Sequence, residues 1–207
     1  MNKIVIALPK GRLAEQTLEI LEKCNIKTDF DKDSRKLIFT DTAGTYNFIF
    51  VKPSDVPTYV ERGVADIGVC GLDTIMEESR NVYELLDLGL GKCRICVCGY
   101  PDSLVKGKGG QLTVATKFVN IAKKYFDGKV QNVDMIKLNG SVELAPIMKL
   151  SDCIVDLVES GRTLKENNLE VLEVICDISA RLIVNKVSLK TKSAVINPLV
   201  KKISGVL

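Results

Sequence analysis

Between Cys153 and Asn168 an apolar run carrying a single acid gives way to a cluster of polar and small residues. Cys153–Val158 reads as a buried strand interrupted by one carboxylate, Asp156. Glu159-Ser160-Gly161-Arg162-Thr163 follows as a turn, and Leu164 to Asn168 reads as one helical turn that ends early. A strand that feeds a glycine-containing turn at a helix start aims several backbone N–H groups at one point. Backed by the helix dipole, such a nest binds phosphate. Ser160 and Thr163 add hydroxyl donors, and Asp156 and Glu159 add acceptors suited to ribose hydroxyls or Mg²⁺. The chemistry indicated is a sugar-phosphate cradle with carboxylates on its strand side. The same residues also suit an ordinary strand–turn–helix join whose Ser and Thr cap the helix. The turn alone does not choose between these readings.

A second turn, Pro9-Lys10-Gly11, places Lys10 and Arg12 at the start of a helix. The dipole does not favour cations there, so two of them suggest an awaited anion; solvated turn residues are the plain alternative. Asn139-Gly140-Ser141, with Glu143 just beyond, ends a strand and begins a helix, again a cap or a ligand contact. Thr116 and Lys117 stand at a similar join. The chain contains no histidine, which removes Ser-His-Asp triads, Cys-His dyads and every histidine base. Chemistry must rest on carboxylates, cations, backbone dipoles, Mg²⁺ or the substrate itself.

The elements that must position these groups alternate. Residues 3–8 read as a strand, and Leu13 to Cys24 as a helix whose apolar stripe is Leu13, Thr17, Ile20 and Cys24. Strands at 36–40 and 47–51 form a hairpin-like pair. Ser54 is placed to cap a helix that Gly63 ends. A strand at 65–70 and a helix at 73–78 follow. Gly89-Leu90-Gly91 reads as a crossover into a second lobe with strands at 93–98, 112–116, 132–137 and 153–158 and helices at 117–126 and 142–150. Strands at 170–177 and 181–186 and a helix from 188 to about 203, broken or kinked at Pro198, close the chain. The pattern predicts an α/β fold of two lobes, each a mostly parallel sheet with flanking helices.

Bulk properties narrow the partners. The chain has 207 residues, 46% of them hydrophobic, enough for a proper core. A net charge of +3 with scattered basic residues gives no nucleic-acid footprint. No apolar run approaches a membrane span, and the start is too short for a secretory signal, so a cytoplasmic protein is expected. Seven cysteines without disulfide spacing agree with that compartment. Cys93 and Cys96 would face opposite sides of a strand, which argues against a shared metal.

The ordered motifs carry a resemblance. Asp156-Leu157-Val158-Glu159-Ser160-Gly161-Arg162-Thr163-Leu164 resembles the phosphoribosyl-pyrophosphate loop of ATP phosphoribosyltransferases, the first enzyme of histidine biosynthesis. Ala7 to Leu13, Ser34-Arg35-Lys36-Leu37, Pro53 to Val60, Ala65 to Gly71, Cys93-Arg94, Val114-Ala115-Thr116 and Leu138 to Pro146 match in family order. The similarity covers nearly the whole chain. It implies a fold like type II periplasmic binding proteins, with the active site in the cleft. The first lobe would be residues 1–91 plus 181–207 and the second 92–180, the latter carrying the loop.

The resemblance implies a Mg²⁺-dependent direct displacement. N1 of ATP attacks C1 of phosphoribosyl pyrophosphate, giving phosphoribosyl-ATP and pyrophosphate. It assigns catalytic cations to Lys10, Arg35 and Lys52, the last departing from the family's usual Arg. Phosphoribosyl pyrophosphate falls to Asp156, Glu159, Ser160, Gly161, Arg162, Thr163 and Leu164. ATP falls to Gly11, Arg12, Gly71, Asp73, Arg94, Thr116, Lys117, Asn139, Gly140, Ser141 and Glu143. No protein metal ligand is assigned, Mg²⁺ arriving on the substrate phosphates. The family's long form has a further regulatory domain; this chain stops without one and looks like the short form. Short-form chains imply a regulatory subunit resembling histidyl-tRNA synthetase, with a homodimer inside a hetero-octamer. Two other readings are a solute-binding protein, which needs a secretion signal and no phosphate loop, and the effector domain of a transcription regulator, which needs a DNA-binding segment.

Overall fold

A computed structural model describes residues 3–31, 34, 36–106 and 110–207. Two compact units emerge, one of residues up to Gly91 and from Ser179 onward, the other Lys92–Ile178.

In chain order the first unit holds β1 (Ile4–Pro9), α1 (Arg12–Lys23), β2 (Ile38–Thr40), β3 (Tyr46–Val51), α2 (Val56–Glu61), β4 (Ile67–Gly71), α3 (Leu72–Glu78) and β5 (Tyr83–Asp87). The second holds β6 (Cys93–Gly99), α4 (Ser103–Lys106), β7 (Leu112–Thr116), α5 (Val119–Gly128), β8 (Val133–Lys137), α6 (Leu144–Ile147), β9 (Cys153–Val158), α7 (Arg162–Glu166) and β10 (Glu170–Ile178). The chain then returns to the first unit as β11 (Ala180–Val184), α8 (Lys186–Thr191) and α9 (Ser193–Ser204).

The first sheet runs β2-β3-β1-β4-β11-β5 and the second β10-β6-β9-β7-β8. Both are mixed. β1 pairs parallel with β3 and β4, and β7 parallel with β8 and β9. The remaining named pairs, such as β11 with β4 and β6 with β9, are antiparallel. The parallel strands are those joined by helical crossovers, which parallel pairing requires. β1 is an almost unbroken apolar run because it lies between two strands, with Ile4, Ile6, Ala7 and Leu8 all buried. α1 lays Ala14, Thr17, Ile20 and Leu21 inward. Thr17 belongs on that face because its hydroxyl donates to the Leu13 carbonyl at 2.7 Å.

Two acids, the buried Asp66 and the half-buried Asp152, lock the inner strands. Val5 donates its N–H to Asp66 Oδ2 at 2.9 Å, while Asp66 N–H returns to the Val5 carbonyl at 2.8 Å. Thr113 and Asp152 repeat this exchange in the second unit, at 2.8 and 2.9 Å. Asp66 also accepts from the Ser188 hydroxyl and from Lys192 Nζ, tying the returning helices to the sheet. Asn185 caps α8 by accepting from Val187 and Ser188 N–H and donates its amide to the Val60 carbonyl.

Several local expectations change. Ser54 does not cap α2; Pro53–Asp55 forms a 3-10 turn first, and the Ser54 hydroxyl reaches the Asp55 carboxylate at 3.2 Å. The helix expected over 142–150 shrinks to the single turn α6. Pro146 lacks an N–H, and Lys149 adopts φ 60° so that Leu150 N–H can close back on the Ala145 carbonyl. α9 continues through Pro198, an exposed position where water can take the carbonyl that proline leaves unpaired. β5 is an edge strand that the chain's local pattern does not signal.

Candidate active site

In the second unit β7 and β8 end level, Thr116 beside Lys137, while β9 runs on from Val155, the other neighbour of Thr116, to Val158. Just beyond those ends come Lys117, the Asn139–Glu143 segment and the Glu159–Thr163 turn. Ligands of open α/β sheets sit outside the carboxyl ends of strands, so the fold gathers these groups at the chemically useful edge. Arg94 joins them, because β6 runs antiparallel to β9 and places Arg94 opposite Val158. Arg94 is exposed beside the turn.

Gly161 is the N-cap of α7 at φ 72° and ψ 7°, with no side-chain cap. A Cβ there would meet only Val158 Cγ1, at 3.7 Å, so glycine is required by its left-handed backbone rather than by crowding. The first N–H groups of a helix have no acceptors within it and point outward. The Arg162 N–H faces Ser160 Oγ at 3.4 Å, and the Arg162 guanidinium is drawn along the helix by Glu166, 2.7 Å from its Nε. Glu159, Ser160 and Thr163 are exposed. The Leu164 side chain is buried among Cys98, Val142 and Val158, so it anchors the turn and leaves only its backbone for a ligand.

Asp156 is half-buried, and burial lifts its carboxyl above the usual range. Glu143 pushes it further up, while the Leu157 N–H and Lys117 pull it down. These couplings bring Asp156, Glu143 and Lys117 into one electrostatic locality. Two carboxylates with a nearby cation suit ribose hydroxyls, or one face of a hard divalent ion whose other ligands are phosphates. Thr116 stands at the end of β7. It is fully buried, donating to the Val155 carbonyl at 2.6 Å and accepting the Phe118 N–H at 2.8 Å. Its hydroxyl braces the strand ends, leaving no proton for a phosphate. Lys117, by contrast, is exposed, with Nζ 5.9 Å from the centre of the Phe118 ring. Asn139, Gly140 and Ser141 are exposed, Ser141 at φ 49°.

Asp156→Asn is expected to raise the melting temperature of the ligand-free protein at neutral pH. A carboxyl whose folded pKa is raised carries no penalty below its unfolded value near ~4, and destabilises the fold increasingly as pH rises through the folded value. Thermal melts of both proteins from pH 4 to 8 should diverge with rising pH. Equal stability throughout would remove the burial argument.

In the first unit, Pro9 pairs with Val51 as the last residues of β1 and β3, and the Lys10 N–H donates to the Val51 carbonyl at 2.9 Å. Lys10 and Lys52 are therefore the first residues past two adjacent parallel strands, and both are exposed. Gly11 and Arg12 are exposed at the start of α1, Gly11 with φ 102°. Gly71 precedes α3, and a Cβ there would fall 2.0 Å from Asp73 Oδ1. Gly71 thus leaves room for the Asp73 carboxylate to fold back at the end of β4. Arg35 lies outside the described residues.

Sequence reasoning missed the wall beside Lys10. Lys10 and Gly11 line a pocket of about 530 Å³ with Phe30, Phe39 and Phe50. The Phe30 and Phe50 rings stack at 4.3 Å between centroids, and both meet Phe39 edge-on. These three residues belong to a loop and two strands, so no local spacing relates them.

Burial pushes the Cys98 and Cys153 thiols up to about 12, so neither is a thiolate at neutral pH. Among the described residues no helix is long and apolar enough to cross a membrane.

Residues 52–205 match the ATP phosphoribosyltransferase family model. The chain is 57% identical over 196 residues to the ATP phosphoribosyltransferase of Caldicellulosiruptor bescii, covering 93% of each chain. It is 56% identical over 211 residues to that of Lachnoclostridium phytofermentans, covering 100% of this chain and 98% of the relative. Among solved structures, the ATP phosphoribosyl transferase (HisG:HisZ) complex from Thermotoga maritima superposes with a TM-score of 0.83 at 36% identity, over 98% of both chains. A substrate binding protein of an amino acid ABC transporter gives 0.57 at 15% identity, covering 99% of this chain and 91% of the other, a likeness of fold alone.

Proposed function

The chain belongs to the ATP phosphoribosyltransferase family, and we propose that it performs the family's reaction with the groups described above, without any histidine. The enzyme is a pentosyltransferase that makes phosphoribosyl-ATP and pyrophosphate, the first step of histidine biosynthesis. The observation that carries the residue assignment is the gathering of Lys117, Asn139–Glu143, Arg94 and the Glu159–Thr163 turn at one sheet edge.

The turn holds the 5-phosphate of phosphoribosyl pyrophosphate through the outward N–H groups of α7 and the Thr163 hydroxyl. Asp156, Glu159 and Glu143 take the ribose hydroxyls, and Arg94 offsets phosphate charge. Asn139, Gly140, Ser141 and Lys117 contact ATP. On the first unit Lys10, Lys52, Arg12 and Arg35 neutralise phosphates, with Gly11, Gly71 and Asp73 shaping the approach. The Phe30 and Phe50 rings, backed by the buried Phe39, give the purine an apolar surface. N1 of adenine is a neutral nucleophile that needs no base before it attacks C1. The ribose then passes through an oxocarbenium-like state, so the protein's task is alignment and stabilisation of the departing pyrophosphate. Two polyanions brought together repel by several kcal/mol at an effective dielectric near ~20, which the cations offset. Mg²⁺, held by the substrate phosphates with Asp156 and Glu143 at hand, would supply further neutralisation of the leaving group.

We further propose short-form assembly, a homodimer within a hetero-octamer with a subunit resembling histidyl-tRNA synthetase, in the cytoplasm. The HisG:HisZ neighbour supports the regulatory partner. The test is pyrophosphate release from ATP and phosphoribosyl pyrophosphate, with and without Mg²⁺ and the partner subunit. Release only with Mg²⁺ is expected; a folded, partnered protein that yields none would sink the assignment.

Lys52→Ala is expected to lower turnover at least tenfold with little change in melting temperature, since Lys52 is exposed. Lys52→Arg should retain most activity, because the charge persists and the guanidinium adds a fork. A kinetically silent Lys52→Ala would remove this residue from the site.

A further inference from the structure

The pocket beside Lys10 carries a charged pair that the reaction as assigned does not use. Lys36 lines this pocket of about 530 Å³ together with Phe30 and Phe50. Its ammonium lies 5.3 Å from the centre of the Phe39 ring, which meets both Phe30 and Phe50 edge-on. Lys36 Nζ donates to Asp29 Oδ2, and Asp29 Oδ1 accepts the Thr40 N–H at 2.9 Å. Asp29 precedes Phe30 in the chain, and Thr40 follows Phe39. Ammonium and carboxylate are thus tied to the segments that supply the rings.

Neither group is used up. An ammonium has three N–H donors, and Asp29 takes one of them. A carboxylate oxygen has two lone pairs, and among the described contacts each Asp29 oxygen accepts one bond. The Lys36 bond and the Thr40 N–H hold the Asp29 carboxyl below its usual range, so it is ionised at neutral pH. The two side chains are 48% and 52% exposed, open to a ligand. An ion pair so exposed adds little to stability.

The reaction limits how adenine can be read. N1 must stay free to attack C1, so the protein cannot cover it. The remaining polar edge sets N7, an acceptor, beside the 6-amino group, a donor. An ammonium next to a carboxylate matches that order. Guanine and hypoxanthine carry an oxygen in place of the amino group, and a carboxylate repels it. Resting on the placement of the purine against Phe30 and Phe50, we propose that Lys36 and Asp29 select adenine. Lys36 donates to N7, Asp29 accepts from the 6-amino group, and N1 is left open for the attack.

Calorimetric titration of the full chain compares ATP with 7-deaza-ATP, which lacks the N7 acceptor, and with ITP, which has oxygen at position 6. The parent should bind each analogue about tenfold more weakly than ATP, as the loss of one charge-assisted bond requires. Lys36→Met should weaken ATP about tenfold and erase the penalty for 7-deaza-ATP, and Lys36→Arg should restore it. Asp29→Asn adds an amide donor for the position-6 oxygen, so the preference for ATP over ITP should largely vanish. Both variants should melt near the parent temperature. Phe50→Ala should weaken all three nucleotides alike. A parent that binds no ATP, or a Phe50→Ala that binds it undiminished, defeats the purine placement and this inference with it. ATP binding that depends on Phe50, with either analogue ratio unmoved by its substitution, overturns the edge recognition alone. A lowered melting temperature with nucleotide affinities intact does the same, and makes the pair a tether for the loop.

Discussion

Thr163→Ala is expected to weaken phosphoribosyl-pyrophosphate binding about 10- to 150-fold, the equivalent of one charge-assisted hydrogen bond of roughly 1.5–3 kcal/mol. ATP affinity should barely move. The structural alternative is a helix cap, and the geometry weighs against it. α7 starts at Arg162 with Gly161 as its N-cap and no side-chain capping bond. Thr163 is exposed in the first turn, and the local bond it makes to Asn167 uses its carbonyl, which alanine keeps. What fixes the turn is the buried Leu164 side chain and the Gly161 backbone, neither of which the substitution touches. Calorimetric titration with each substrate, together with a thermal melt, separates the readings. A melting temperature lowered by the equivalent of ~1 kcal/mol with binding intact would make Thr163 a capping residue only. Gly161→Val gives the complementary result: a β-branched residue at φ 72° strains the backbone, so stability and binding should fall together.

The turn is legible in sequence because all its signals are local and agree. An apolar run sets the strand, glycine permits the left-handed residue, and small polar residues start the helix. The same holds for Lys10 and Lys52, which follow apolar runs whose parallel pairing brings the two ends level. Thr116 is less legible for the opposite reason. A threonine at a strand end looks like a phosphate donor, and only the pairing of β7 with β9 reveals that the Val155 carbonyl, 39 residues away, holds its hydroxyl. Leu164 could be read as part of a motif, but its direction depends on Cys98 and Val142, which are distant in sequence. β5 is half-exposed and among the described residues pairs only with β11, nearly a hundred residues later, so no periodicity marks it. The Phe30, Phe39 and Phe50 wall is likewise a product of tertiary packing. Motif residues announce chemistry when their neighbours in the chain are also their neighbours in space.

Asp66→Ala is expected to destabilise the chain by about 3–5 kcal/mol, the loss associated with removing one partner of a buried ion pair. Asp66 is 3% exposed and accepts from Val5 N–H at 2.9 Å, Ser188 Oγ at 2.6 Å and Lys192 Nζ at 2.8 Å. Alanine leaves all three donors without that acceptor and strands the Lys192 ammonium, whose side chain is only 28% exposed. The helices of the returning segment lose their side-chain tie to the start of β4, although β11 still pairs with β4 and Ile196, Leu199 and Ile203 still pack α9 on the sheet. For a chain of this size the loss corresponds to a fall of roughly 6–20 °C in melting temperature. Asp152→Ala supplies the internal control. Asp152 makes the same strand exchange with Thr113 but has no cation among its described partners, so the expected cost is about 1–3 kcal/mol. Denaturant midpoints for the two variants decide the matter. A clearly larger loss for Asp66→Ala locates the excess in the Lys192 pair and the Ser188 bond. Equal losses would mean that the strand exchange carries the whole effect, and that the buried ion pair merely recovers its own desolvation.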